Sequence, residues 1–313
     1  MTTVVALRGN ALLRRGEEQT IAAQRRNVRD AVEAIAPLAG SGGLVVTHGN
    51  GPQVGWLAVQ QRDAGGGAPP LDVLDAQTEG MIGYLIMQEL RNALPDGGQC
   101  VALLTQTVVA PDDPAFAAPD KPIGPVYPRE RADELARTNG WSVAAAGDGW
   151  RRTVPSPRPV GIVELPVIAR LASEGVAVVC AGGGGIPVAR GPDGRIEGVE
   201  AVVDKDRASA LIACGIGADR LVILTDVDAV YEDWGGPGQR AIRRISPAAL
   251  RTYDFARGSM APKAEAAADF AERTGGTARI GALAEAGDVI AGLAGTEVTG
   301  DAAATSYWVQ DGG

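Results

Sequence analysis

Four short apolar runs constrain the fold of this chain more than any other feature: TVVAL at 3–7, LVVT at 44–47, VAVVC at 176–180 and RLVIL at 220–224. Each is a short apolar run and is predicted to be a strand, those at 176–180 and 220–224 fully apolar or buried. Each also stops at a loop of polar or flexible residues. These loops are Arg8-Gly9-Asn10, His48-Gly49-Asn50-Gly51-Pro52, the run from Ala181 to Pro187 (AGGGGIP) and Thr225-Asp226-Val227-Asp228. Helical spacing of apolar residues is predicted at 20–39, from Pro52 through QVGWLAVQQRD, and over 72–94, 164–174, 204–214 and 262–274. Further strands are expected at Gln99–Val109, 277–280 and 296–299. Strands alternating with helices predict an α/β sandwich on a largely parallel sheet. Ligands of such open sheets bind beyond the carboxyl ends of the strands, where the four loops would converge.

One stretch breaks this rhythm. From about 110 to 160 the chain is rich in proline and short polar segments, which predicts an irregular excursion or β-hairpin extension too small for a core of its own. Residues 1–313 are therefore read as a single domain with a protruding, lid-like subdomain at 110–160. Arg151-Arg152, within that stretch, could contact an anion, but the favoured reading is exposed hairpin charge. No apolar run approaches the ~20 residues of a membrane span, and the opening MTTVVALRGNALL lacks a signal-peptide pattern, so a cytoplasmic protein is expected. Cys100, Cys180 and Cys214 are widely spaced in apolar segments and are expected to be reduced core thiols.

The formal net charge is -9, which argues against a nucleic-acid surface. An anionic ligand must then meet positive charge concentrated locally. The chain has 26 arginines but only three lysines, Lys121, Lys205 and Lys263, set in DKPIGP, VVDKD and GSMAPK. A lysine retained against such a bias suits a site that needs a compact point charge, such as one for phosphate oxygens. The glycine-rich loops fit the same chemistry, because backbone amides at a helix start cradle phosphate. None is a Walker A loop or a spaced-glycine dinucleotide fingerprint. With 43 glycines in the chain, each loop taken singly also reads as a structural turn. Lys205, between Asp204 and Asp206, has the equally simple reading of a surface helix start. His48 is the sole histidine, and without a GxSxG elbow it reads as a structural hydrogen-bonding residue, not a triad base.

The segments THGNGPQVG (47–55), DAQTEGMIGY (75–84), DPAFAAPDKPIGPVY (113–127), GWRRTVPSPRP (149–159), AGGGGIPV (181–188), VVDKD (202–206), LTDVDAVY (224–231) and GSMAPK (258–263) together resemble the carbamate kinase family, in that family's order and over nearly the whole chain. The resemblance implies the amino acid kinase fold, a three-layer α/β/α sandwich, and reversible phosphoryl transfer between ATP and carbamate to give ADP and carbamoyl phosphate. It further implies Mg2+ on the nucleotide, ATP formation during arginine or related nitrogen catabolism, and a homodimer.

Carried over by position, Lys205 and Lys263 would flank the phosphoryl group, Asp206 would hold the lysines, and Lys121 would reach the small substrate. Gly9, Asn10, Gly49, Asn50, Gly51, Gly182 and Gly183 would form the phosphate and carbamate cradle. Thr225, Asp226, Tyr231 and Met260 would lie toward the nucleotide. Three positions depart from the family pattern. Arg8 stands where a glycine is usual and would be strained if φ were positive there, or would add a phosphate clamp. Asp120 brings an anion beside Lys121, and Ala261 replaces a glycine. Two alternatives follow: the same fold acting on another small carboxylate or phosphonate, and a homologue that binds nucleotide or carbamoyl phosphate with little turnover.

Overall fold

The computed structural model describes residues 1–8, 17, 20–63, 69–255 and 260–309. Six parallel strands make the centre of the main sheet, in the order Cys100–Ala102, Ala177–Val179, Leu44–His48, Thr3–Leu7, Arg220–Thr225 and Thr277–Ala282. The antiparallel strand Thr296–Val298 ends the parallel run, and Arg240–Ile245 and Val230–Glu232 carry the sheet to its other edge.

The continuous apolar runs have a direct structural reading. Successive side chains of a strand point to opposite faces, and here both faces are covered. Val4, Ala6, Val45, Val178, Leu221 and Ile223 join a core with Ile212 and Phe270, from the helices Lys205–Gly215 and Met260–Thr274. Val5, Leu7, Leu44, Val46, Val222 and Leu224 join a second core with Val32 and Ile86, from the helices Ile21–Ile35 and Leu71–Ala93. Helices thus lie on both faces, giving the three-layer α/β/α sandwich. Among the described residues, no helix is long and apolar enough to cross a membrane. All three cysteines are free; Cys180 is buried, whereas Cys100 and Cys214 are half-buried beside the core.

The expected strand Gln99–Val109 is in fact two. Cys100–Ala102 closes the main sheet, while Gln106–Val109 joins a four-stranded sheet with Pro159–Ile162, Ile186–Arg190 and Ile196–Gly198. Carboxylates make the break by capturing backbone donors that a ladder would use. Thr105 N donates to Glu79 Oε2 at 3.1 Å, and Gln106 N donates to Glu164 Oε2 at 2.7 Å. β-Propensity alone, high throughout the segment, does not reveal that switch.

Of the two readings of the stretch 110–160, an irregular excursion or a β-hairpin extension, the second is the one found, with a helix added. Lys121–Tyr127, Gly149–Val154 and Ser142–Ala146 form a three-stranded antiparallel sheet, with the helix Arg129–Asn139 packed against it. The helix buries only Ala132 and Leu135 and ends at Gly140, whose φ of 67° takes the left-handed cap conformation. The helix is otherwise polar and strongly charged, and it lies in a stretch whose prolines point away from a helix. Ile123 and Val154 seat this sheet on Val54, Leu71 and Leu74 of the main body. The approach is closest at Gly55 of the helix Gly51–Asp63, where a Cβ would lie 2.1 Å from the Cα of Gly124. Any side chain at Gly55 would push the protruding sheet away.

Candidate active site

A cleft of about 910 Å³ opens between the carboxyl ends of the central strands and the protruding sheet. Three helix starts reach it. Gly49, Asn50, Gly51 and Pro52 line it at the start of Gly51–Asp63; Asp204, Lys205 and Asp206 at the start of Lys205–Gly215; and Pro262 and Lys263 in the first turn of Met260–Thr274. Helix N-termini concentrate unpaired N–H donors and positive potential, so the backbone itself favours an anion here.

The lysines are organised by two aspartates. Asp206 lies between two ammonium groups: Lys263 Nζ donates to its Oδ2 at 2.8 Å, and Lys205 Nζ sits 2.9 Å from its Oδ1. The second contact is an ion pair without hydrogen-bond geometry, so Lys205 Nζ and Asp206 Oδ1 are buried with no hydrogen-bond partner among the described residues. Burial by itself would raise the pKa of Asp206, but Lys205 and Lys263 together outweigh it and hold the carboxyl ionised, well below its usual range. Burial, the largest influence on Lys205, lowers its pKa, and Asp206 opposes that shift.

Asp204 divides its carboxylate between two tasks. Its Oδ1 caps the helix by accepting from Asp206 N at 3.0 Å and Arg207 N at 3.3 Å, while its Oδ2 accepts from Lys121 Nζ at 2.8 Å. Lys205 and both aspartates are buried, which excludes the simpler reading of a solvated helix start.

Glycine is required in the AGGGGIP loop because neighbouring side chains press against its backbone. A Cβ at Gly182 would lie 2.3–2.4 Å from the His48 ring, and one at Gly183 would lie 2.2 Å from Asn50 Nδ2. Behind the loop, the helix Leu71–Ala93 supplies buried polar groups that fix Asn50 and the loop backbone. Asn50 Nδ2 donates to Asp75 Oδ1 and Thr78 Oγ1, each at 2.8 Å, and Gly182 N donates to Glu79 Oε1 at 2.9 Å. Burial pushes Glu79 up to about 8 against two backbone hydrogen bonds. Burial likewise lowers His48 to about 4, so its imidazole is neutral, as a structural residue requires. Asp75 and Glu79 lie in a motif quoted above for resemblance alone. Their support of the cradle has no signature in spacing, because their partners lie 25 and 103 residues away.

Of the remaining site candidates, Gly183 lines the cleft and Gly182 stands behind it. Gly9 and Asn10 lie outside the described residues. Thr225, Asp226, Tyr231 and Met260 do not line this cleft. Tyr231 donates to Asp228 Oδ2 at 2.7 Å, and Met260 packs against the core.

The departures from the family pattern take on definite meanings. Arg8 is outside the positive-φ region, so the anticipated strain is absent. Its guanidinium pairs with Asp226 and donates to Thr225 Oγ1 at 3.4 Å. Asp120 is exposed, and the carboxylate that Lys121 meets is Asp204. Ala261 lies in the first turn of a helix, where alanine is favourable. Arg151, read as exposed, is half-buried and lines the cleft.

Ammonium groups from two helix starts and one strand thus meet buried carboxylates in a single cleft of an α/β sandwich, where a third helix start also opens. The amino acid kinase family model matches residues 1–282. The carbamate kinase of Haemophilus influenzae is 50% identical over 310 residues, covering 98% of this chain and 100% of that protein. The carbamate kinase of Escherichia coli strain K12 is 49% identical over 296 residues, covering 94% and 98%. The structure of carbamate kinase from Giardia lamblia bound to AMP-PNP matches with a TM-score of 0.85 at 40% identity, over 95% of this chain and 98% of that one. The chain belongs to the amino acid kinase family, and within it to the carbamate kinases.

Proposed function

We propose that the protein catalyses reversible phosphoryl transfer between carbamoyl phosphate and ADP, giving carbamate and ATP. In that step the bond from phosphorus to the carbamate oxygen breaks as a terminal oxygen of ADP bonds to phosphorus. Such transfer asks little covalent help of a protein; alignment and charge at the equatorial oxygens carry it. Lys205 and Lys263 supply that charge, making their strongest contacts in the transition state. Asp206 keeps both ammonium groups fixed, and the starts of the three helices add N–H donors. The observation that carries this reading is the single buried carboxylate between two lysines from different helices.

Lys121 works from the other wall, where it meets the small substrate while Asp204 steadies it. Residues 110–160 act as the lid that brings it in. Gly9 and Asn10 belong to the phosphate cradle with Gly49–Gly51 and Gly182–Gly183, and Thr225, Asp226, Tyr231 and Met260 belong to the nucleotide side. Mg2+ enters as part of the nucleotide substrate, while Asp204 and Asp206 stay committed to lysines. A cytoplasmic homodimer forming ATP during arginine or related nitrogen catabolism fits this activity, and light scattering of the purified chain tests the dimer.

A panel of small carboxylates and phosphonates, assayed for ADP release from ATP, tests the acceptor. Turnover is expected with ammonia and bicarbonate, which supply carbamate. Turnover confined to a different acid would replace this reading.

A further inference from the structure

The positive groups around the cleft differ in one respect. Arg8 is paired with Asp226, Lys121 with Asp204, and Lys205 and Lys263 with Asp206. Among the described residues, Arg151 lines the same cleft with no carboxylate at ion-pair distance. Its Nε donates to Gly124 O at 2.9 Å, and neither Nη has a hydrogen-bond partner among the described residues.

Its neighbour shows that this is not a general property of the strand. Successive side chains of Gly149–Val154 point to opposite faces. Arg152 turns away from the cleft, lies over the Trp141 ring with its Cζ 4.8 Å from the centroid, and has Nη2 3.8 Å from Glu200 Oε2. One arginine of the pair is thus used in packing, and the other is presented to the cleft. A guanidinium held half out of water without a counter-charge is costly unless an anion completes it. Desolvation alone lowers the Arg151 pKa, with no opposing contribution from an acid.

We propose that Arg151 binds the anionic oxygens of the non-nucleotide substrate, a carboxylate or phosphate group, from the lid side of the cleft. The anchored Nε sets the plane of the guanidinium, and the two Nη groups offer the fork that matches two oxygens of one anion. Lys121, Gly124 and Arg151 all come from the same three-stranded sheet, so a shift of that sheet carries the fork and the ammonium together. This assignment rests on the phosphoryl-transfer reading for the identity of the substrate, but not for the presence of an anion site.

The test is calorimetric titration of inorganic phosphate into the full-length wild type and the variants R151Q, R151K and R152Q, with thermal unfolding as a check on folding. R151Q is expected to weaken phosphate binding by roughly tenfold or more, R151K to recover part of the loss, and R152Q to stay within about twofold, as suits a partly exposed pair. Equal affinity in R151Q and wild type overturns the proposal. An equal loss in R152Q does so as well, as does a wild type that binds no phosphate. Steady-state kinetics add a second readout: R151Q should raise KM for carbamoyl phosphate and leave KM for ADP unchanged, and the reverse pattern would contradict it. Intact phosphate binding without ATP formation would fault the assigned reaction and leave this site standing.

Discussion

The two walls of the cleft are built differently. On the sheet side, Lys205, Asp206 and Lys263 are buried, and their helices, Lys205–Gly215 and Met260–Thr274, share a core with the central strands. On the side of the protruding sheet, the Lys121 side chain is 28% exposed, and Arg151 is held by one bond from its own sheet. The first wall is preorganised, with two ammonium groups fixed in advance on one carboxylate, the arrangement that electrostatic stabilisation of a transition state uses. The second keeps exposed or unpaired charge on a small sheet seated by few apolar side chains, which suits capture of a ligand. The difference predicts that mutations in the two walls will separate turnover from ligand capture.

The largest break should come from the sheet side. Lys263→Ala is expected to lower kcat by about 10²–10³-fold, with KM for the nucleotide changing far less. A variant of unchanged turnover would remove Lys263 from the chemistry. Lys121→Ala should instead lose roughly 10–100-fold in kcat/KM, concentrated on carbamoyl phosphate. A loss confined to ADP would erase the contrast between the walls.

Acidity sharpens the comparison from below the sheet-side loop. Glu79 is pushed from 4.5 to about 8 by burial, so the folded protein keeps a proton that the unfolded chain releases. Its contribution to stability is complete below 4.5 and falls as pH rises toward 8. Between pH 6.5 and 8 the wild type should lose about 2 kcal/mol relative to Glu79→Gln, the contribution of His48 being common to both proteins. Denaturant midpoints at the two pH values check this, and parallel curves would count against it.

The smallest effect is expected at Arg8. Its pairing with Asp226 leaves both side chains partly exposed, at 29% and 47%. Such pairs contribute at most about 1 kcal/mol, so Arg8→Gly should change turnover by less than about fivefold. A large gain would revive the reading of a weakly active homologue.

The sandwich was legible because strands covered on both faces leave unbroken apolar runs, as Val4–Leu7 and Leu221–Leu224 do. The lysines were legible through rarity. What stayed hidden depends on partners distant in sequence. Nothing near Gln106 announces that Glu164 will take its N–H and divide a strand. Nothing in Trp150-Arg151-Arg152 tells which arginine faces a ring and which faces a cleft, since that depends on how the sheet is seated.

The central claim is tested most directly by coupled ATP formation from ADP and carbamoyl phosphate, measured side by side for the wild type and Lys263→Ala. The account predicts robust formation by the wild type and a kcat loss of about 10²–10³-fold in the variant. A wild type that forms no ATP, or a variant that matches it, would contradict the account.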